Sequence, residues 1–378
     1  MFASRLPAQI EPSPLARLIA RKREEGLLDL TESNPTRAGI VYPEEAILAG
    51  FQDRRALVYD PESLGLPAAR AFVADLHGVG ADRVMLTAST SEAYSWLFKL
   101  LCDPGDEVLV PQPSYPLFEL LAKLESVTVR HYPLRYHEGW FIDVDALRGA
   151  INERTRAIVV VNPNNPTGHF VKPEERVWLE ELAARHGLAL ISDEVFANPG
   201  HGASLIQNRE ALTFTLNGLS KMVGMPQMKL GWMVLSGPAE QQAAAYARLE
   251  LIADTYLSVG TPVQYALPAL LGARELVQGQ IRERLEANLA WLRATLAGST
   301  AESTASLLDV EGGWYAILRV PQTWSEEEWV RRLLEEQAVL VQPGYFYDFA
   351  TEAYLVLSLL TPPSTFREGV RRMKSTLR

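Results

Sequence analysis

Short apolar runs alternate with longer stretches of helical spacing along the first two thirds of the chain. Val84–Thr87, Glu107–Val110, Val127–Tyr132, Ala157–Val161, Leu188–Ile191, Leu212–Leu216 and Leu230–Leu235 read as strands. Ala157–Val161 is almost wholly β-branched, as a strand covered on both faces should be. Between the runs, Ala68–Leu76, Ala93–Leu101, Leu117–Leu124, Asp145–Ile151 and Pro173–His186 carry apolar positions at helical spacing. The alternation predicts an α/β fold, a mostly parallel sheet with helices on both faces.

Beyond Pro238 the pattern changes. Ala239–Leu251, Val263–Leu271 and Glu275–Leu296 read as helices. They are followed by a strand at Gly312–Val320, a helix at Trp329–Glu336, and strands at Val339–Val341 and Tyr354–Leu360. This predicts a smaller α+β domain. At the start, Leu15–Glu25 has helical spacing with a basic outer face, and Leu27–Leu30 is a short strand. The expected division is an N-terminal arm over 1–43 that joins the small domain, a large domain over 44–270, and a small domain over 271–378. The chain shows no internal repeat and no low-complexity stretch.

Composition narrows the picture. A chain of 378 residues with 47% hydrophobic and 22% charged residues can bury full cores, and its length suggests about two domains. A net charge of −10 and a pI near 5.3 argue against nucleic-acid and anionic-membrane partners, and the one basic run is Arg21-Lys22-Arg23. Cys102 is the only cysteine, so no internal disulfide can form, and its apolar helical setting reads as core. No apolar run reaches the ~18 residues of a membrane span. Pro7, Glu11, Pro12 and Pro14 stand where a signal peptide would be apolar. A cytoplasmic protein is the expectation.

Chemistry collects at strand ends. Asn217–Trp232 holds Lys221 in a turn-rich segment between two strands. A lysine placed there and taken out of water would lose pKa and become a nucleophile; it also fits the ordinary solvated loop lysine. The strand at 157–161 runs into Asn162-Pro163-Asn164-Asn165, and the strand at 188–191 into Ser192-Asp193-Glu194. The C-terminal ends of strands are where open α/β sheets hold ligands. Ser89-Thr90-Ser91-Glu92 has the spacing of a capping box and reads either as a plain cap or as an anion site at a helix start. Tyr115 lies on the rigid loop 111–116. A nucleophilic lysine, a carboxylate, an amide, an anion site and an aromatic platform together describe how a protein holds pyridoxal 5′-phosphate.

These motifs carry a resemblance. Asn-Asn-Pro-Thr-Gly at 164–168, Ser-Asp-Glu-Val-Phe at 192–196, Leu-Ser-Lys at 219–221, Asp-Pro-Gly-Asp at 103–106 and Pro-Ser-Tyr-Pro at 113–116 occur in this order. The chain resembles the class I/II aminotransferases, pyridoxal-phosphate enzymes of fold type I, over about Leu28–Leu360. The resemblance implies a seven-stranded-type sheet between helices. It makes Lys221 the Schiff-base lysine and proton shuttle, and pairs Asp193 with the pyridine nitrogen. Asn165 would bond the phenolate oxygen and Tyr115 would stack on the ring. Ser89, Thr90 and Ser91 would cradle the phosphate, with Lys229 where the family usually has an arginine. Lysine keeps that charge but loses the fork. Tyr59 would reach the phosphate of a neighbouring subunit, which implies a homodimer.

The sequence also departs from the family. Phe196 replaces a frequent tyrosine near the phenolate oxygen, and Gly218 replaces a frequent hydroxyl. Val356 replaces the arginine that forks onto a substrate carboxylate. The expected substitutes are Arg37, slightly preferred, and Arg319; otherwise the substrate carries no carboxylate at that point. Trp314, Tyr315, Tyr345, Phe346 and Tyr347 suggest an aromatic wall and a bulky or hydrophobic substrate. The resemblance implies amino-group transfer between an amino acid or amine and a 2-oxo acid, with β-eliminating lyase chemistry, on carbon–sulfur bonds for example, as the alternative on the same fold. An effector-binding regulator would normally need an extra DNA-binding domain, and none is expected in this chain. A degenerate, non-catalytic relative would show no absorbance from a bound cofactor.

Overall fold

The computed structural model describes residues 2–7, 11–197, 202–297 and 305–377. An eight-stranded sheet forms its centre. Across it run Val84–Thr87, Gly231–Ser236, Thr213–Gly218, Ala189–Asp193, Thr155–Val161, Glu107–Gln112, Thr128–Tyr136 and Trp140–Ile142. The neighbours from Thr213–Gly218 through Thr128–Tyr136 pair in parallel. Gly231–Ser236 is antiparallel to both of its neighbours. The edge strand Trp140–Ile142 adds an eighth member to the expected seven. It folds back on Thr128–Tyr136, which extends past the expected Tyr132. Three residues were too few for an alternating pattern to show in the sequence.

Apolar clusters cover both faces of this sheet. Met85, Val108, Val159, Ile191 and Phe214 point to one side, Leu109, Ile158 and Leu190 to the other. Adjacent residues of one strand therefore enter different cores, as the two-residue repeat of a strand requires.

A second, four-stranded antiparallel sheet runs in the order Ser306–Leu307, Tyr315–Arg319, Tyr354–Ser358, Gln342–Pro343. The start of the chain lies beside it in a separate two-stranded sheet. Leu28–Asp29 pairs in parallel with Val339–Leu340, and the Ser358 hydroxyl donates to the Glu32 carbonyl at 2.7 Å. The helix Pro363–Thr376, absent from the expected elements, packs on this sheet through Phe366, Val370 and Met373. Four arginines and lysines among its 14 residues mask that apolar stripe.

The helix Arg274–Ala297 links the two sheets. Asn288 Nδ2 donates to the carbonyls of Leu359 and Thr361, both at 2.8 Å. One turn earlier Arg284 reaches the Ala38 carbonyl at 2.7 Å. Near its start Gln278 Nε2 donates to the carbonyls of Lys221 and Met222, at 2.8 and 2.9 Å. One rigid rod thereby fixes the lysine turn relative to the small sheet. Among the described residues no helix is long and apolar enough to cross a membrane.

Leu30 is fully buried where the arm meets the small sheet, with Gly369 packed against its side chain. Leu30→Ala should leave a cavity costing about 3 kcal/mol. Urea unfolding followed by the fluorescence of Trp324 and Trp329 should show an earlier transition for this variant.

Candidate active site

A cavity of about 470 Å³ opens over the C-terminal ends of the central strands, lined by Lys221, Asp193, Asn165, Tyr115 and the start of the helix Thr90–Leu101. The sequence expected Lys221 on a loop. It stands instead on a single helical turn, Leu219–Met222, that follows the strand Thr213–Gly218 without a break. That turn folds tightly because Gly218 and Gly231 face each other across two antiparallel strands. A Cβ at 218 would meet the Gly231 Cα and the Leu230 carbonyl, both at 2.9 Å. The glycine at 218 is therefore a demand of space, and it explains why no hydroxyl side chain stands there.

Asn217 ties the lysine turn to the carboxylate strand. Its Nδ2 donates to the Glu194 carbonyl at 2.8 Å, while its Oδ1 accepts from Gly218 N at 2.7 Å. The neighbouring carboxylates Asp193 and Glu194 have separate tasks. Glu194 points away from the cavity and accepts from the Ser192 and Ser204 hydroxyls and from Leu205 N, at 2.9, 2.7 and 2.9 Å. Asp193 lines the cavity, with Val195 N donating to Oδ1 at 3.2 Å and the Tyr94 hydroxyl to Oδ2 at 3.1 Å.

Burial shifts the two titrating groups toward each other. It pushes the Asp193 carboxyl up to about 6, against the pull of its hydrogen bonds and of Lys221. It pushes the Lys221 amine down, while Asp193 opposes that shift. Aromatic rings wall the amine: Lys221 Nζ lies 5.0 Å from the Trp314 ring centre and 5.4 Å from that of Phe196. Those two rings meet edge to face at 5.2 Å.

The helix start offers an anion site as well as a cap. Ser89 Oγ accepts from Glu92 N at 3.2 Å, which satisfies the third N–H of the helix. Glu92 turns back to Ala88 N at 2.7 Å, one residue earlier than a capping box predicts. The Thr90 and Ser91 N–H groups, the first two of a 12-residue helix, need an acceptor from outside the helix. Both residues line the cavity, as do Lys229 and Ser220. Lys229 holds a left-handed backbone, φ 51°, at the end of the turn Pro226–Met228. Asn165 is 8% exposed and lines the cavity, and its buried Oδ1 has no partner among the described residues.

The structure brings together Ser89, Thr90, Ser91, Tyr115, Asn165, Asp193, Phe196, Lys221 and Lys229 around this cavity. Trp314 stands behind Lys221. Other expected site residues lie elsewhere. Val356 is fully buried beside Ile317 and Tyr347, outside the lining. Arg319, four residues from Tyr315 along its strand, stacks over Tyr136 and Tyr354. Arg37 is exposed on its turn, and Tyr345 is 46% exposed. Tyr59 is 82% exposed, next to Leu57 at 85%. Among the described residues the cationic side chains lining the cavity are Lys221 and Lys229.

The sequence reading had not assigned Tyr94 and Ser220 to the site, and had placed Ser33 only in a polar turn, 31–36, of the kind that lines sites. Tyr94 was legible from helical register: residues 90, 91 and 94 share a face once the helix starts at Thr90. Ser33 lies on an irregular segment with no period. Its hydroxyl, like that of Tyr347, bonds Tyr315 at the cavity wall.

The Asp193 shift has a testable sign. A carboxyl raised from 3.8 to about 6 is neutral in the folded protein where it is ionised in the unfolded chain. Between those pH values the folded state loses stability as pH rises. Without added cofactor, Asp193→Asn should therefore be more stable than wild type at pH 7.5, on the order of 3 kcal/mol. The gap should close near pH 4, as read from urea midpoints at both pH values.

Comparison with known proteins agrees with this geometry. Residues 25–372 match the family described as aminotransferase class I and II. The glutamate-pyruvate aminotransferase AlaA of Escherichia coli is 31% identical over 277 residues, covering 70% of this chain and 68% of the relative. The alanine aminotransferase of Mycobacterium tuberculosis is 29% identical over 394 residues, covering 96% and 89%. Among solved structures, a Thermus thermophilus aspartate aminotransferase mutant superposes with a TM-score of 0.82 at 26% identity over 100% of both chains. The alanine aminotransferase of Pyrococcus furiosus has the same fold, with a TM-score of 0.88 at 24% identity over 100% of this chain and 99% of that one. The match across nearly the whole length shows that this chain belongs to the class I and II aminotransferase family.

Proposed function

We propose that this enzyme holds pyridoxal 5′-phosphate beside Lys221 and moves an amino group between an amino acid or amine and a 2-oxo acid, favouring bulky or apolar substrates. The family depends on this cofactor. The observation that carries the reading is a buried lysine amine sharing one cavity with a buried carboxylate, beside a helix start whose first two N–H groups have no partner among the described residues. The cavity suits the group: the Asn165 side-chain amide, the Thr90 and Ser91 N–H groups and the Lys229 charge line it and are the polar partners it would use.

When bound, the cofactor supplies an electron sink for the pair released as a substrate C–H bond breaks. Lys221 Nζ would hold the aldehyde carbon and would carry the substrate proton. Its lowered pKa favours the neutral amine this needs. Asp193 would keep a proton on the pyridine nitrogen. Asn165 would steady the phenolate oxygen, donating through its amide. Thr90, Ser91, Ser89 and Lys229 would hold the phosphate, and Tyr115 would cover the ring. Phe196 and Trp314 exclude water from the amine.

Aromatic side chains from Tyr115, Phe196, Trp314 and Tyr315 support the preference for apolar substrates. The names of the relatives add alanine, glutamate and pyruvate as candidates. The reading keeps Arg37 and Arg319 as candidate partners for a substrate carboxylate and expects a cytoplasmic enzyme. It also includes a homodimer. Leu57, Val58 and Tyr59 form an exposed apolar strip, 85, 64 and 82% exposed, of the kind that marks an interface. Tyr59 would then reach the phosphate site of the second copy.

Purified protein given pyridoxal phosphate should gain a near-visible absorbance band that Lys221→Ala abolishes. A productive amino donor should bleach that band by converting the cofactor to its amine form. A screen of alanine, glutamate and aromatic amino acids identifies the donor; no bleaching by any amine contradicts the reading. Tyr59→Phe should sediment as a dimer yet bind the cofactor about tenfold more weakly, the effect of one lost hydrogen bond to a charged group.

A further inference from the structure

Tyr94 is not explained by packing alone. The ring is 1% exposed and fits between Phe98 and Phe118, with ring centres 6.0 and 5.3 Å away. A phenylalanine would fill that space equally well. The hydroxyl, however, donates to Asp193 Oδ2 at 3.1 Å. It comes from the same helix whose first residues form the anion site, and it lines the cavity. One helix thus faces both ends of the proposed cofactor, the phosphate through Thr90 and Ser91 and the ring nitrogen through Tyr94 and Asp193.

The other groups facing Asp193 cannot take over this task. Val195 N is committed to Oδ1. Lys221 acts on Asp193 through its charge, without a hydrogen bond among the described residues, and its amine is needed for the aldehyde. Tyr115 affects Asp193 only through the field, and Glu194 is turned away onto Ser192 and Ser204.

A donor on a carboxylate spreads its negative charge and lowers its affinity for a proton. In a buried pair of carboxylate and pyridine nitrogen, one proton is shared. The donor decides on which side it rests.

We propose that Tyr94 is a positioning residue, whose hydroxyl orients Asp193 and keeps the shared proton on the pyridine nitrogen of the bound cofactor. Removing the hydroxyl moves that proton from nitrogen to the Asp193 carboxylate, with no change in the number of protons held. The inference rests on the cofactor reading above and extends it to a residue that never touches the substrate.

The test uses holoenzyme loaded with pyridoxal phosphate labelled with ¹⁵N in the ring. Wild type should show a pyridinium-like ¹⁵N shift. Tyr94→Phe should move the shift toward neutral pyridine and weaken cofactor binding about tenfold, as loss of a hydrogen bond to a charged group does. In an Asp193→Asn background, adding Tyr94→Phe should change neither readout, because the hydroxyl acts through the carboxylate. Should Tyr94→Phe not fold, replacing Tyr94 with 3-fluorotyrosine supplies a stronger donor of nearly the same shape. It should move the shift further toward pyridinium. An unchanged ¹⁵N shift in the variant that is made, or an equal loss of affinity in the Asp193→Asn background, overturns the proposal. If wild type itself takes up no cofactor, the functional reading fails and this inference with it. If wild type binds and Tyr94→Phe is silent, only this inference fails.

Discussion

A buried primary amine and a buried carboxylate share one cavity, and the fold is arranged to keep them there. Desolvation acts on Lys221 and Asp193 in opposite directions, toward neutral amine and neutral acid. Their mutual attraction restores part of the charge but does not collapse the two into an ion pair. An ion pair would quench the nucleophile. Rings on one side of Lys221 and hydrogen bonds on Asp193 give each group its own environment. The arrangement costs stability, and a cofactor with both a positive ring nitrogen and an aldehyde would answer it on both counts.

Backbone constraints hold this geometry. The strands ending at Asp193 and at Gly218 are adjacent and parallel, so their C-terminal ends share one edge of the sheet. Asn217 bonds across that edge, and the Gly218–Gly231 pair lets the lysine turn start without a gap. From below, Gln278 fixes the carbonyls of the turn. Because the same helix holds the small sheet through Asn288, movement of the small sheet would be felt at the lysine. This coupling gives the two-sheet architecture a role beyond burying surface.

Much of this was legible in the sequence, for definite reasons. The central strands are apolar runs bounded by turn residues, so their number and order of chemistry could be read; Val84–Thr87 falls on its expected bounds. Asp193, Asn165 and Lys221 were legible because each follows such a run directly. The edge strand Trp140–Ile142 and the helix Pro363–Thr376 were not, the first for its brevity and the second for its charge. Residues that act across elements were hidden as well. Tyr94 meets Asp193 over 99 positions of sequence, and Ser33 reaches Tyr315 from an irregular arm. Arg37 and Arg319 were candidates by chemistry, yet their positions in this chain depend on strand length and turn direction, which composition does not encode.

The central claim is that one particular amine, Lys221 Nζ, carries the cofactor. Borohydride reduction of the protein after incubation with pyridoxal phosphate, followed by peptide mass mapping, tests it directly. The account predicts a pyridoxyl increment on the peptide containing Lys221 and on no other lysine at equimolar cofactor. A pyridoxyl group found on Lys229 or a surface lysine, with Lys221 unmodified, would contradict it.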